Sequence, residues 1–199
     1  MRRTGVLAAA LAMTMVAGSA QAQRFSEGYR FLEAVRKADG AEVTKILNDP
    51  ASRIINTRSD AGESALHIVV KRSDATYLGF LLGKGADPNL RDGQGDTPMM
   101  TALLGGFVPG VEVLLKRGGN PNLSNSRGET PLIRAVQLRN PEAVRLLLAN
   151  GADPDQTDNV AGMSARDYAK VDTRSPAVAK MMAEAPKVGP KRAVSGPKL

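Results

Sequence analysis

The chain has 199 residues, of which 42% are hydrophobic and 24% charged, a composition that fits one or two folded domains and excludes disorder throughout. Aromatic residues make up only 4% and cysteine is absent, so the core must be aliphatic, and disulfides, thiol catalysis and cysteine-bound metals are excluded. The net charge of +7 lies at the two ends, because residues 23–185 carry only +1, and this nearly neutral body argues against nucleic-acid binding.

The first 22 residues have the layout of a secretory signal peptide. Two arginines at positions 2 and 3 precede an alanine-rich apolar run over 6–20, and Ala20-Gln21-Ala22 is a small-x-small cleavage site. We predict cleavage between Ala22 and Gln23 and a periplasmic or secreted bacterial protein. An uncleaved anchor is disfavoured because the run is shorter than the roughly 20 residues that span a bilayer. General secretory export is favoured over the twin-arginine route, and no other stretch is apolar enough to be a transmembrane segment.

Two amphipathic helices are predicted next, around residues 31–35 and 43–47, with Asp39-Gly40 between them. A longer loop over 49–55 then leads to Asn56.

Downstream of Asn56 the sequence repeats itself every 33 residues. One marker is a Gly-Ala-Asp-Pro-Asn-like segment, a second is a glycine before a Glu-Thr-Pro-Leu-like segment, and a third is a leucine pair. The copies are Gly85–Asn89, Gly118–Asn122 and Gly151–Asp155; Gly62, Gly95 and Gly128; and Leu81-Leu82, Leu114-Leu115 and Leu147-Leu148. Three markers in one register indicate a structural repeat.

Each repeat reads as a pair of helices. In the third, Thr130 can cap a helix whose first turn holds Pro131. Proline fits at that position because the helix does not use the backbone N–H that proline lacks. Leu132, Ala135 and Val136 then fall on one helical face, and a second helix carries Val144, Leu147 and Leu148 before Gly151 ends it. In the second repeat, the segment 105–110 contains glycines and Pro109. We interpret it as a longer loop with Pro109 near the first turn of the second helix, and a soft joint in the stack is the alternative.

These segments resemble ankyrin repeats over residues 27–183. The resemblance implies an all-α ankyrin-repeat solenoid of stacked helix–turn–helix units, each with a projecting hairpin-like loop. In the C-terminal unit the opening is displaced by one residue, Arg166 and Asp167 occupy usually apolar and histidine positions, and Val178, Met181 and Met182 form a last helix. The predicted units are a signal peptide (1–22), an N-terminal capping repeat (23–61), repeats at 62–94, 95–127 and 128–161, a C-terminal capping repeat (162–185) and a disordered basic tail (186–199).

No catalytic, cofactor-binding or metal-binding residue is predicted, and we expect the protein not to be an enzyme. His67 is the only histidine, and the resemblance implies that it bridges neighbouring loops by hydrogen bonds. Asp153, Asp155 and Asp158 vaguely resemble a calcium loop but lack its glycine and terminal glutamate. Neither a phosphate-binding glycine loop nor a Gly-x-Ser-x-Gly nucleophile motif is present.

The resemblance implies that a partner meets the loop tips and the inner helices. Glu63, Asp96 and Glu129 share one repeat position, so stacking predicts an acidic column with Arg58, Arg91 and Arg127 near it. The candidate partner-binding residues form three sets, which are Arg58, Asp60, Glu63, Lys71 and Arg72; Arg91, Gln94, Asp96 and Leu104; and Arg127, Glu129, Gln137 and Leu138.

We therefore expect a monomeric, non-catalytic module that docks a protein partner, possesses no cofactor and binds no nucleic acid. The alternative is an envelope-associated structural protein whose tail contacts an anionic surface through Lys187, Lys191, Arg192 and Lys198, and an enzyme ranks last. For the tail itself, a solvated end that only adds solubility is the favoured interpretation, because charge runs are usually just solvated.

Overall fold

A computed structural model of the protein describes residues 27–49 and 54–187, and this part of the chain forms ten helices and no strand. The predicted signal peptide and most of the predicted tail lie outside the described residues. The helices are α1 (27–36), α2 (Gly40–Leu47), α3 (Ala65–Lys71), α4 (Ala75–Gly83), α5 (Pro98–Leu104), α6 (Val108–Lys116), α7 (Pro131–Gln137), α8 (Pro141–Ala149), α9 (Ala165–Val171) and α10 (Pro176–Glu184).

The helices form antiparallel pairs that stack along the chain. One layer places α3 against α5, α5 against α7 and α7 against α9, and the other places α4 against α6, α6 against α8 and α8 against α10. We term the layer that contains α3, α5, α7 and α9 the inner layer, and the layer that contains α4, α6, α8 and α10 the outer layer. The predicted all-α solenoid is confirmed.

The predicted helix starts are also confirmed. The Thr97 side chain accepts from the Met100 backbone nitrogen at 3.4 Å, and Thr130 accepts from Ile133 at 3.2 Å. A proline follows each threonine in the first helical turn. Each start thus satisfies a backbone N–H that a helix leaves without an internal partner.

The core is aliphatic and runs along the stack between the two layers. Leu132 and Ala135 have no exposed surface, and the same holds for Leu114 and Leu147 in the outer helices. Burying a leucine of this kind stabilises the fold by roughly 1.5–3 kcal/mol. Because each of these helices packs against its counterpart in the next pair as well as against its own partner, the repeats cohere only as a stack.

A three-residue turn joins the two helices in each of the first four pairs. Its middle residue has a left-handed backbone, with φ of 57° at Ala38, 57° at Ser73, 67° at Gly106 and 53° at Arg139. Pro109 lies in the first turn of α6, as predicted. The expected longer loop in this repeat is wrong, because Gly106 takes the same position as its equivalents and adds no residue.

In the C-terminal pair the displaced opening still forms a helix start. Ser164 and Asp167 cap α9 reciprocally. The predicted last helix is α10, which contains Val178, Met181 and Met182, and Val178 and Met182 are buried in it. Arg166 donates to the carbonyl oxygens of Met182 and Ala185 at the end of α10. A cation there satisfies carbonyls that the helix leaves open, which explains a charged residue at a usually apolar position.

Candidate partner-binding surface

Each projecting loop is shaped by one polar side chain at its base. Asn125 Oδ1 accepts from the backbone nitrogens of Arg127 at 3.0 Å and Glu129 at 3.1 Å. Asp92 does the same one repeat earlier, with Gln94 at 2.8 Å and Asp96 at 3.0 Å. These bonds close a tight turn and set the direction of the acidic side chain that follows it.

Successive loops are joined by a backbone ladder. The Gly93 nitrogen donates to the Ala61 oxygen at 2.9 Å, and Asn159 donates to Arg127 at 2.8 Å two repeats later. Gly128 has a φ of +78°, and a Cβ on it would lie 2.6 Å from the Asn159 nitrogen. The glycine marker of the repeat is therefore required both by the left-handed backbone and by the next loop packing onto it.

A second ladder is formed by the asparagines that lie six residues before the marker glycines Gly62, Gly95 and Gly128. The Oδ1 of Asn89 accepts from the Asn120 backbone nitrogen at 2.8 Å, and that of Asn122 accepts from Asp153 at 2.7 Å. Asn56 makes the equivalent bond to Asp87 at 2.8 Å. The loops are consequently held in a fixed row before any partner arrives.

His67 has no exposed surface and links the first repeat to the second. Its Nδ1 accepts from the Ser64 backbone nitrogen at 3.1 Å, so the neutral ring carries its proton on Nε2, which lies 2.9 Å from the Asp96 carbonyl oxygen. Burial lowers the pKa of His67 below its ordinary 6.5, against the opposing effect of the Asp96 carbonyl. The bridging hydrogen bonds agree with the structural role implied for this histidine.

The three acids at the equivalent loop position are paired with bases or amides. Glu63 forms ion pairs with Lys71 and, at 3.9 Å, with Arg36. Asp96 accepts from the Asn125 side chain at 2.9 Å. The predicted acidic column is therefore a mixed-charge row.

Glu129 is the most enclosed of these acids, with 8% of its surface exposed. Its Oε2 accepts from Asn125 at 2.9 Å, from Arg127 at 2.8 Å and from Arg134 at 2.6 Å. Sequence reasoning missed Arg134, because Ile68 and Thr101 hold the equivalent position in the preceding repeats and give no sign of a charge there. Enclosure among three donors makes Glu129 a positioning residue for Arg127.

The other candidate residues are distributed along the loops and inner helices. Arg58 donates from Nη1 to the Arg91 backbone oxygen at 3.1 Å, which fixes one loop-tip arginine against the next loop. Of the thirteen candidates, Glu129 is buried; Glu63, Asp96 and Gln137 are half-buried; and Arg58, Asp60, Lys71, Arg72, Arg91, Gln94, Leu104, Arg127 and Leu138 are exposed.

The aspartates that resembled a calcium loop serve the fold. Asp158 accepts from the Tyr168 hydroxyl at 2.6 Å and from the backbone nitrogens of Val160, Ala161 and Gly162. Burial opposes its ionisation, but these bonds outweigh it and lower the pKa of Asp158. Within residues 27–49 and 54–187, no group of three or more metal-ligating side chains is placed to hold an ion.

Three large apolar side chains stand exposed at the ends of the inner helices. Leu104 ends α5 and is 49% exposed, Leu138 caps α7 and is 44% exposed, and Val171 ends α9 and is 74% exposed. Val171 was not among the predicted residues, since the one-residue displacement of its repeat hid its equivalence to Leu104.

In the described part of the chain, no helix has the length and apolarity to cross a membrane.

Stacked helix pairs with a row of projecting loops define a helical-repeat solenoid, a class that presents an extended surface rather than a closed pocket. The family model described as ankyrin repeats (3 copies) matches residues 31–125 and 66–158. The chain therefore belongs to the ankyrin-repeat family, whose members are generally protein–protein interaction modules and typically not catalysts.

Two curated relatives carry the same repeats within much longer chains. An ankyrin repeat protein of Acanthamoeba polyphaga mimivirus is 50% identical over 48 residues, which cover 24% of this chain and 7% of that protein. The nuclear factor NF-kappa-B p110 subunit of Drosophila melanogaster is 39% identical over 51 residues, or 25% of this chain and 5% of that protein. The similarity thus extends over one to two repeats and leaves most of each relative unmatched.

Proposed function

We propose that the protein is a non-catalytic interaction module that docks a partner protein on its loop tips and inner helices. The observation that carries this proposal is the fixed row of loops, in which backbone and asparagine ladders hold exposed arginines at the loop tips. A surface ordered in advance loses little conformational entropy on binding. Its alternating charges favour a specific partner and a fast association more than a high affinity.

We further propose that this docking takes place in the bacterial periplasm. Support comes from the basic start, the apolar run and the small-residue cleavage site of the first 22 residues. An absence of cysteine suits a protein that must fold in an oxidising compartment without forming bridges. An enzyme that the module supports or inhibits is one form that the partner can take.

Affinity capture from a periplasmic extract of the source bacterium tests the docking face. The variant Arg91→Glu reverses the charge of an exposed loop-tip side chain, and Arg117→Glu reverses one at the end of the outer helix α6. We expect the first to abolish capture of the specific partner and the second to leave it intact. Equal capture by both variants would show that the partner docks elsewhere.

Fractionation of the source bacterium tests the compartment. A protein whose mature N-terminus is Gln23, recovered with periplasmic markers, is the expected result. A full-length chain retained in the cytoplasm would contradict it.

A further inference from the structure

His67 occupies a position at which the other inner helices have no histidine. It is the third residue of α3, and the third residues of α5, α7 and α9 are Met100, Ile133 and Asp167. Since His67 is the only histidine in the chain, it is the only side chain whose ordinary pKa lies between about pH 5 and 8. An effect of mild acid on the row of loops is therefore concentrated at one junction, between the first projecting loop (57–63) and the second (90–96).

The ring of His67 joins these two loops from inside the stack. Its Nε2 donates to the Asp96 carbonyl oxygen of the second loop at 2.9 Å, and its Nδ1 accepts at 3.1 Å from the backbone nitrogen of Ser64, which directly follows the first loop. The Gly93 nitrogen donates to the Ala61 oxygen at 2.9 Å and connects the same two loops through the backbone. We term the ring and this backbone bond the loop clasp.

The loop clasp fits only a neutral ring. A proton on Nδ1 would set one N–H against the N–H of Ser64 at 3.1 Å, where an acceptor now meets that donor. His67 has no exposed surface, so water does not replace the lost bond. The charged ring must therefore turn out of its place, and the bond from Nε2 to the Asp96 carbonyl oxygen is lost with it.

Burial lowers the pKa of His67 and outweighs the opposing effects of the carbonyl that it binds and of the charges nearby. Of those charges, Asp92 in the second loop and Glu63 in the first favour the protonated ring, and Lys71 opposes it. The helices α4 and α5, which pack against α3, contain no charged residue, and Arg36 of α1 reaches Glu63 at 3.9 Å. A ring that turns out of the core thus exchanges its burial for two carboxylates, which favours the open state in acid.

We propose that His67 is an acid-sensitive switch, which opens the contact between the first two projecting loops and so releases a partner that is docked across both. The effect on a partner rests on the proposed function. Arg58 and Arg91 are exposed on these two loops, and a partner that contacts both gains from loops held in a fixed register. Near neutral pH the uncharged ring keeps that register, and mild acid removes it at this junction alone.

Hydrogen exchange of single amides, followed by NMR on the full chain without a partner, tests the switch. The Gly93 amide reports on the loop clasp. Its counterpart is the Asn159 amide, which donates to the Arg127 oxygen at 2.8 Å between the third and fourth loops, where no histidine is present. After correction for intrinsic exchange rates, the protection of Gly93 should fall by up to about tenfold between about pH 7.5 and about pH 5.5, because an exposed imidazole is about tenfold more protonated than neutral at the lower pH. The protection of Asn159 should stay constant.

The variant His67→Met copies Met100, the residue that the second repeat has at this position. Its side chain takes up no proton, so the protection of Gly93 should be the same at both pH values. Capture of the partner from a periplasmic extract at the same two pH values gives the functional readout. Wild type should retain up to about tenfold less partner at the lower pH, and His67→Met should retain equal amounts at both.

Three results would overturn the switch. They are constant protection of Gly93 in wild type, an equal fall at Gly93 and Asn159, and an equal fall at Gly93 in wild type and His67→Met. The comparison of Gly93 with Asn159 needs wild type alone and stands even where the variant fails to fold. Exchange is measured without a partner, so these results leave the docking function untouched, whereas a capture that finds no partner at either pH contradicts the docking function and not the switch.

Discussion

The side-chain nitrogen of Asn125 lies 2.9 Å from a carboxylate oxygen of Asp96, which belongs to the preceding projecting loop. The same nitrogen lies 2.9 Å from Glu129 of its own loop. One neutral amide thus holds two carboxylates of successive loops. It keeps apart two negative charges that the repeat pattern brings close together.

Asn125→Asp should therefore destabilise the protein although aspartate fits the loop, as Asp92 and Asp158 show at equivalent positions. A third carboxylate would face Asp96 and Glu129 with no proton to donate, and we expect a loss of about 1–3 kcal/mol in the free energy of unfolding by urea. The control Asp92→Asn keeps its acceptor oxygen and should change the stability by less than about 0.5 kcal/mol. Adding Asp96→Asn to Asn125→Asp should restore part of the loss, and strict additivity of the two changes would contradict the contact.

The pH dependence of stability should report on His67. Its folded pKa is lowered by burial, so below about pH 6.5 the unfolded chain binds the proton more readily than the folded one. Stability is therefore full above that value and decreases as the pH falls through 6.5 towards the folded pKa. Urea titrations at several pH values measure this slope.

His67→Gln supplies the comparison, because no other histidine exists to titrate in that window. The variant should be less stable at neutral pH and should lose the His67 contribution to the slope. An unchanged slope between wild type and variant would mean that the ring is not buried as a neutral bridge.

Leu147→Ala should cost about 2–5 kcal/mol, since this side chain has no exposed surface and its loss leaves a cavity between stacked pairs. Leu104→Ala, at a side chain that is 49% exposed, should cost less than about 0.5 kcal/mol. Thermal and urea unfolding of the two variants side by side separate a core leucine from one available to a partner. Similar midpoints for both would argue against the repeat register.

Gly128→Ala and Gly151→Ala together separate the cost of a left-handed backbone from the cost of a steric clash. Both glycines have left-handed backbones, with φ of +78° and +81°, but a Cβ at Gly128 meets the next loop at 2.6 Å whereas Gly151 has nothing within 4 Å. We expect about 1 kcal/mol of destabilisation at Gly151 from the backbone alone, and about 2–4 kcal/mol at Gly128 from backbone and clash together. Equal losses in urea unfolding would show that the loops do not pack as closely as the ladder requires.

Helix boundaries and core leucines followed from the sequence because their causes lie within a few residues. Thr130 and Pro131 are adjacent, and Leu147 occupies the position in its repeat that Leu114 occupies in the preceding one. Local capping and helical periodicity of this kind are readable without the fold. The prediction of a longer loop around Gly106 is wrong because it rested on the general tendency of glycine and proline to weaken helices. Here Gly106 lies in the turn that the other repeats also have, and Pro109 lies in the first turn of α6.

The partner surface was less readable for a physical reason. Its exposed residues could be named by repeat position, but their pairing depends on rotamers that cross from one repeat to another. Arg139 turning to Asp172 is one such choice, and Arg72 reaching back to the Val35 carbonyl oxygen is another. Residues 37 positions apart leave no local pattern for such a bond.

The amino-acid sequence by itself determined the stack, because a 33-residue unit with one apolar face per helix can shelter that face only against its own copies. Only the tertiary structure decided which charges neutralise one another. Arg139 and Asp172 lie 33 positions apart and meet only because their repeats stack, so no local pattern of the sequence shows that they pair.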